Sequence, residues 1–540
     1  MSNFMHNMDC TSNFISYSNT GFFSNLVADY LSYSDDIRGF YAHEPDIEGI
    51  RQAIIQRETN QVSDRALLVS VLKEQYQGVT VSAKVQSNID ALANEHVYAI
   101  TTAHQPNIFS GPLYFIYKIL HAVKLAEELQ SDFPSNKFVP VYYMGSEDAD
   151  LDELGFVNVG GVNVRWETKQ TGAVGRMKVD KSFLALIHAI EGQIAVWPHG
   201  AELVEIFKTV YTEGKTIQQA TLELVNHLFS EFGVVVLIPD QPKLKACFKE
   251  VVKKELLESF SHKLVVETTA RLSQKYKVQT SGRDINLFYL KADRRERIEL
   301  ENNLYKVKAL DLQFTQEQLL KEMDEYPERF SPNVILRGVF QEKILPGIVF
   351  IGGGAELAYW MELMQVFKAV DVPYPVLLLR NSFLFIEKEQ QERLKKLQIN
   401  HVELFMDQQE YINTWVKEKT KHELSLSKEL AELSVFYQQL QEKATQIDQS
   451  LNDHVLSLQV KAAKKLEVLE KKMLRAEKAK YETHIRQFYQ LKSTLFPSGS
   501  LQERQENFSL LYAKYGQEWI RAIYQHSFGL KKAFGIIEMS

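Results

Sequence analysis

Short, nearly continuous apolar runs alternate with amphipathic stretches over roughly the first 380 residues of the chain. Residues 97–103, 138–144, 234–239, 334–339, 348–351 and 376–379 read as strands, separated by helices such as 112–129 and 356–370. Strands without polar alternation are buried on both faces, so the pattern predicts an α/β fold with a parallel sheet covered by helices on each side. Two intervals depart from it. Residues 156–180 hold Gly160-Gly161 between alternating segments, and 285–307 read as two strands around Lys291-Ala292-Asp293; both are expected as hairpins inserted into the sheet domain.

Beyond Pro375 the pattern changes. Residues 376–496, a run of 121, contain no Gly and no Pro, which predicts long helices. Leu451, Val455, Leu458, Ala462, Leu466, Leu469, Met473 and Ala476 recur at steps of three and four, one stripe on one helix face. Leu433, Phe436, Leu440 and Ile447 form a second stripe. Asp448-Gln449-Ser450 and Asn452-Asp453 between them fit either a helical hairpin or one continuous rod. Residues 461–480 carry eight basic and three acidic side chains, which reads as a solvated flank of the coiled coil.

Composition narrows the class. The chain has 540 residues, 45% hydrophobic and 24% charged, enough for several domains with a large core. A net charge of −7 argues against general nucleic-acid binding. The two cysteines, Cys10 and Cys247, make neither a disulfide framework nor a four-cysteine zinc site, which points to a reducing, cytoplasmic setting. The first 17 residues lack a secretory pattern and no segment reads as membrane-spanning. No His-Glu-x-x-His occurs, and no structural metal is expected.

In open parallel sheets ligands bind beyond the carboxyl ends of the strands, so the residues just past each strand are the informative ones. His104, Gln105 and Asn107 come after the first, leading to a helix with Tyr114 and Lys118. Glu147, Asp148 and Asp150 come after the second and Asp240 after the third. Gly352, Gly353, Gly354 and Glu356 come after the fifth, before Tyr359 and Trp360; Arg380 comes after the last. Three glycines between a strand and a helix can hold an anion through backbone N–H groups, although they match no dinucleotide fingerprint and serve equally as a tight turn. Arg337 and Arg380 lie in or beside apolar runs, where a guanidinium needs an anionic partner, from the protein or from a ligand. His104 can orient a phosphate or cap its helix, and the acids can hold an amine or merely favour a helix start. Tyr359 and Trp360 are more often core than a stacking platform.

At the same residues the chain resembles the BshC family, the cysteine-adding enzymes of bacillithiol biosynthesis. The resemblance is carried by Thr102-Ala103-His104-Gln105-Pro106-Asn107, by Ser110-Gly111-Pro112-Leu113-Tyr114-Phe115-Ile116-Tyr117-Lys118, and by Phe330-Ser331-Pro332-Asn333-Val334 with Leu336-Arg337. Leu345-Pro346, Gly352-Gly353 through Glu356, Tyr359-Trp360, Leu495-Phe496-Pro497 and Leu501-Gln502-Glu503-Arg504 continue it to the end. It implies a Rossmann-like core related to class I aminoacyl-tRNA synthetases, two connecting insertions, and a coiled-coil arm that makes a homodimer. The resulting divisions are a mostly helical N-terminal segment on the core (1–95), core (96–150), first insertion (151–230), core strand (231–245), second insertion (246–330), core (331–384), arm (385–500) and C-terminal helices (501–540). Of the synthetase signatures, His104 takes the place of the histidine after the first strand. The Lys-Met-Ser-Lys-Ser loop has no counterpart, and Ala149 stands where many members carry His, which puts the weight on His104.

The resemblance further implies that the chain joins the carboxyl of cysteine to the amine of glucosaminyl-malate. That union needs activation, and ATP with Mg²⁺ is the expected source, its phosphates met by Arg380, the glycine loop and His104. Glu147 or Asp148 is expected to hold or deprotonate the amine, and Arg337 the malate carboxylates. Gln105, Asn107, Tyr114, Lys118, Tyr359 and Trp360 are expected to line the substrate site. The alternative is a nucleotide-binding coiled-coil scaffold without ligase turnover.

Overall fold

The computed structural model describes residues 8–279, 282–291 and 293–540; residues 1–7 of the N-terminal segment, and Ala292 of the expected turn, lie outside them. Five strands form the central sheet: β1 (Val97–His104), β2 (Lys137–Met144), β3 (Val235–Leu237), β4 (Gly347–Gly352) and β5 (Val376–Leu379). All neighbours are parallel, in the spatial order 3-2-1-4-5. The order reverses between β1 and β4, where Ile351 pairs with Thr102, and a crevice opens there beyond the strand ends.

Both faces of the sheet are covered, which is why its strands read as unbroken apolar runs. On one face, Ala122, Leu125, Ala126 and Leu129 of helix α1 (Tyr114–Asp132) and Ile50, Ala53 and Ile54 of the helix Ile47–Thr59 share a core with Ile100, Val349 and Ile351. On the other, Phe350 stacks on Trp360 with ring centroids 4.2 Å apart.

The expected strand at 334–339 is instead the first half of helix α2 (Val334–Ile344). Pro332 ends the preceding strand, and the Asn333 side chain accepts from the N–H groups of Ile335 at 2.9 Å and Leu336 at 3.4 Å, a cap that starts a helix. The expected helix at 356–370 is two, α3 (Gly354–Met361) and Met364–Lys368. The hairpin at 156–180 forms from Phe156–Val159 and Val162–Arg165; Gly160 and Gly161 have φ of 60° and 84°, left-handed values a two-residue turn demands. Residues 285–307 hold two hairpins rather than one. Leu287–Lys291 pairs with Arg294–Arg297, and Glu299–Glu301 with Leu304–Val307.

The C-terminal segment is not only helical. After the short helices its last strand, Phe534–Met539, lies between Cys10–Ile15 and Phe383–Ile386 in a second sheet.

The chain divides into two compact units, and residues 387–496, with Asn19–Gly21, form the second. Its two long helices, α4 (Ser427–Ile447) and α5 (Leu451–Lys480), make a hairpin, the first of the two alternatives left open by the sequence. Gln441 Nε2 donates to Asn452 Oδ1 at 2.5 Å near the turn, and Gln459 Nε2 to Ser434 Oγ at 3.1 Å further along. The root is held by aromatic stacking, Tyr411 on Phe488 at 4.4 Å and Trp415 on His484 at 3.8 Å. Along the hairpin Phe436, Leu458 and Leu469 remain 53%, 41% and 46% exposed. Among the described residues no helix is long and apolar enough to cross a membrane.

Candidate active site

At the reversal of strand order lies a cavity of about 380 Å³. His104 closes β1 there. Its ring meets Tyr114 edge-on at 5.3 Å and leans on Phe115 at 5.5 Å, and its Nε2 is buried without a hydrogen-bond partner among the described residues. Burial, then Lys118 and Arg380, holds the imidazole well below its ordinary pKa, so the ring is neutral at physiological pH.

The loop after β1 is unusual. Phe109, Ser110 and Gly111 all have positive φ, 48°, 68° and 68°, and a Cβ on Gly111 would lie 2.9 Å from that of Asn107. This conformation is held from outside. Tyr211 Oη accepts from Phe109 N at 3.1 Å, Asn507 Nδ2 donates to the carbonyl of Phe109 at 2.8 Å, and Leu113 N donates to the carbonyl of Glu506 at 2.8 Å.

On the β4 side, Gly353 caps α3. Its N–H donates to Glu356 Oε2 at 2.7 Å, and a Cβ there would stand 3.4 Å from that oxygen and 3.7 Å from Arg380 Nε. The Glu356 carboxylate thus already takes the N–H of this helix start, and the glycine leaves a small gap between that carboxylate and the Arg380 guanidinium. Arg380, just past β5, is buried and lies over the Tyr114 ring at 4.9 Å. Its other nitrogens are occupied by Glu503 at 2.7 Å, and by the Asn381 carbonyl and Ser382 Oγ at 3.0 Å each. Burial alone would lower its pKa; Glu503 outweighs that, and the guanidinium stays charged.

The third wall lies past β2. Asp148 accepts from Gln105 Nε2 at 3.3 Å and from both terminal nitrogens of Arg337 at 3.5 Å. Burial works to raise the Asp148 carboxyl, but Arg337 and Arg295 hold it below its usual range. Arg337 comes from the first turn of α2, which is why the helix there matters: it aims the side chain into the crevice. Behind it Arg295 donates to Ser331 Oγ at 3.0 Å. Its pKa is lowered to about 10 by burial and by Arg337.

Of the residues singled out from sequence, His104, Gln105, Tyr114, Asp148, Arg337, Gly353, Gly354, Glu356, Tyr359 and Arg380 line this one cavity. Five do not. Glu147 turns away and forms a buried ion pair with Lys245, which also reaches Asp240 at 3.5 Å; Asp240 in turn is gripped by Arg176 at 2.6 and 2.7 Å. Its neighbour Asp148 alone faces the cavity. Lys118 is buried behind Glu356, bonded to it at 2.8 and 3.0 Å, and so fixes that carboxylate. Asn107 and Gly352 are buried in the loop and strand, and Trp360 is core.

Sequence reasoning missed Tyr143, Glu153 and Arg504 among the lining residues. Glu153 sits in an acidic stretch that reads as a helix start. Arg504, from the short helix α6 (Gln502–Gln505), lies next to no strand of the central sheet in sequence and gives no local signal. Among the described residues no cluster of three or more His, Cys, Asp or Glu side chains is placed to hold a metal ion.

Comparison with known proteins agrees across the whole chain. Residues 8–381 match the family described as "Bacillithiol biosynthesis BshC, N-terminal Rossmann-like domain", and residues 383–539 its "C-terminal coiled-coil domain". Proteins named "Putative cysteine ligase BshC" from Flavobacterium psychrophilum and Christiangramia forsetii are 38% and 37% identical, each over 97% of this chain and 99% and 98% of their own lengths. One of the same name from Bacillus cytotoxicus is 25% identical over 95% of this chain and 98% of its own. A solved structure titled as an arginyl tRNA synthetase from Campylobacter jejuni covers 83% of this chain and 98% of its own, at 11% identity and a TM-score of 0.22, a likeness too slight to bear on the fold.

Proposed function

The chain belongs to the BshC family of bacillithiol biosynthesis, and from that premise we propose that it is a ligase joining the carboxyl of L-cysteine to the amine of glucosaminyl-malate at the expense of ATP. The observation that carries this reading is the cavity at the strand-order reversal, lined together by a neutral histidine, the Gly353 turn and a buried arginine.

A free carboxylate and an amine do not condense in water without activation. A cysteine carboxylate oxygen attacks phosphorus of ATP and displaces pyrophosphate or ADP. The amine nitrogen then attacks the activated carbonyl carbon; the C–N bond forms, the C–O bond breaks with its electron pair leaving on AMP or phosphate, and the nitrogen gives up a proton. What helps is charge stabilisation laid out in advance. Arg380 Nε, the guanidinium nitrogen not taken by Glu503, Asn381 or Ser382, supplies it for a phosphate oxygen. A neutral His104 donates a hydrogen bond there without bringing a proton that would quench the amine. Arg337, tied to Asp148 only at 3.5 Å, is free to turn a second edge toward a malate carboxylate. Lys118 fixes Glu356 and offsets its negative charge beside the phosphates. Mg²⁺, in this reading, arrives on the nucleotide phosphates and needs few protein ligands.

The exposed apolar residues of the α4–α5 hairpin support a second copy of this chain as the partner, each hairpin covering the other's stripe.

Mass spectrometry of purified protein with cysteine and glucosaminyl-malate, with and without ATP and Mg²⁺, tests the reading. Product formed only with ATP supports it, and AMP or ADP alongside names the activated acid. Folded protein that yields no product under either condition refutes it.

A further inference from the structure

The charges on the cavity wall do not all cancel. Arg380 is matched by Glu503 at 2.7 Å, Arg337 by Asp148 at 3.5 Å, and Glu356 by Lys118 at 2.8 Å. Two charged side chains on the same wall, Glu153 and Arg504, have no ion pair and no side-chain hydrogen bond among the described residues.

Both are solvent-exposed and sit at the mouth of the cavity on anchored backbone. Glu153 N donates to Asp150 Oδ1 at 3.1 Å within a short helical turn. Arg504 comes directly after Glu503, whose carboxylate also accepts from Phe383 N at 3.1 Å, and precedes Glu506, whose carbonyl accepts from Leu113 N at 2.8 Å. The fold anchors the chain on both sides of the arginine and leaves its guanidinium unmatched. Arg504 also borders a neighbouring cavity of about 330 Å³ whose other lining charges, Lys275 and Lys277, are both positive. A guanidinium so placed meets a carboxylate or a phosphate with paired hydrogen bonds.

Resting on the cysteine-ligase reading, we infer that these two unmatched charges hold the substrates. Glu153 receives the amino group of glucosaminyl-malate, and Arg504 receives an anionic group, a carboxylate of malate or a phosphate of the nucleotide. The amine enters as an ammonium; one proton passes from its nitrogen to a Glu153 oxygen, and the lone pair left on nitrogen attacks. Burial, then Asp148 and Asp150, raises the Glu153 carboxyl above its ordinary value, whereas Asp148 is lowered; of the two, Glu153 is the better proton acceptor.

Calorimetric titration of the full chain tests both assignments, with glucosaminyl-malate, malate and inorganic pyrophosphate as probes. Glu153→Gln is expected to weaken glucosaminyl-malate about tenfold and to leave malate and pyrophosphate unchanged. Arg504→Gln is expected to weaken an anionic probe about tenfold or more: malate and glucosaminyl-malate together if the carboxylate is the source, pyrophosphate if the phosphate is. Wild-type affinity of Glu153→Gln for glucosaminyl-malate overturns the first assignment, and wild-type affinity of Arg504→Gln for all three overturns the second. Wild-type protein that binds none of the probes overturns both. Tight, variant-sensitive binding without any turnover would instead count against the ligase reading while keeping the two charges in place.

Discussion

Arg380 and Glu503, 123 residues apart in the chain, meet at 2.7 Å with both side chains out of water. The pair joins the end of β5 to the C-terminal segment, and Glu503 keeps the buried Arg380 guanidinium charged. Glu503→Ala strands a buried guanidinium and is expected to cost about 3–5 kcal/mol of stability. Urea unfolding measures it, and a loss under about 1 kcal/mol would show that the pair does not hold the segment.

His104 makes no side-chain hydrogen bond among the described residues, so replacing it breaks nothing in the scaffold. His104→Ala is expected to lower kcat about 10²–10³-fold, the typical loss of one preorganised donor, with stability changed by no more than a core truncation of this size. Steady-state rates beside a thermal melt decide it. Near-normal turnover removes His104 from the chemistry.

His121 sets an acid limit on stability. Its Nε2 bonds to the carbonyl of Gly529 at 2.7 Å and its Nδ1 accepts from Asn381 N at 3.1 Å, a pattern only the neutral ring satisfies. Burial lowers its pKa from 6.5 to about 4. Between those values the unfolded chain binds a proton that the folded chain refuses, so stability falls as pH drops below 6.5. From pH 7 to pH 5 the loss due to His121 is about 2 kcal/mol, and His104, also lowered, adds to it in the same direction. Unfolding curves at the two pH values should show a smaller drop in His121→Gln by about that amount. An unchanged drop refutes the assignment.

Leu458 and Leu469 lie on the apolar stripe of α5 and are half exposed. Leu458→Glu with Leu469→Glu is expected to convert a dimer to a monomer in sedimentation. Helix content by circular dichroism should hold, because neither side chain is buried within its own hairpin. A variant that sediments as the wild type places the partner surface elsewhere.

The sheet was legible because a strand buried on both faces leaves an apolar run that little else produces, and β1, β2, β4 and β5 fall where those runs lie. The run at 334–339 has the same composition, and its length cannot separate a strand from a buried helix; the deciding residue was Asn333, a cap just before it. Strand ends also located His104, Gly353 and Arg380. Glu147 and Asp148 were indistinguishable as neighbours in sequence, and what separates them is Lys245, almost a hundred residues on, which takes Glu147 out of the cavity. Glu503 and Arg504 carry part of the family resemblance, but no period or strand end assigns them to the site, which they reach through tertiary packing.

The second sheet carries a kinetic consequence. Asn13 bonds to Glu538 at 3.0 Å across 525 residues, and among the described residues Cys10–Ile15 has no other strand neighbour than Phe534–Met539. At about 5–20 residues per second, a ribosome takes roughly 25 to 105 s to deliver the second strand after the first. For that interval the nascent chain carries an open strand edge, and until residues 503–507 are made the Phe109–Gly111 loop lacks Asn507 and Arg380 lacks its partner. A chain cut short before Glu503 therefore already holds His104, Gly353 and Arg380, yet lacks the carboxylate that pairs with Arg380 and the Asn507 amide that holds the Phe109–Gly111 loop.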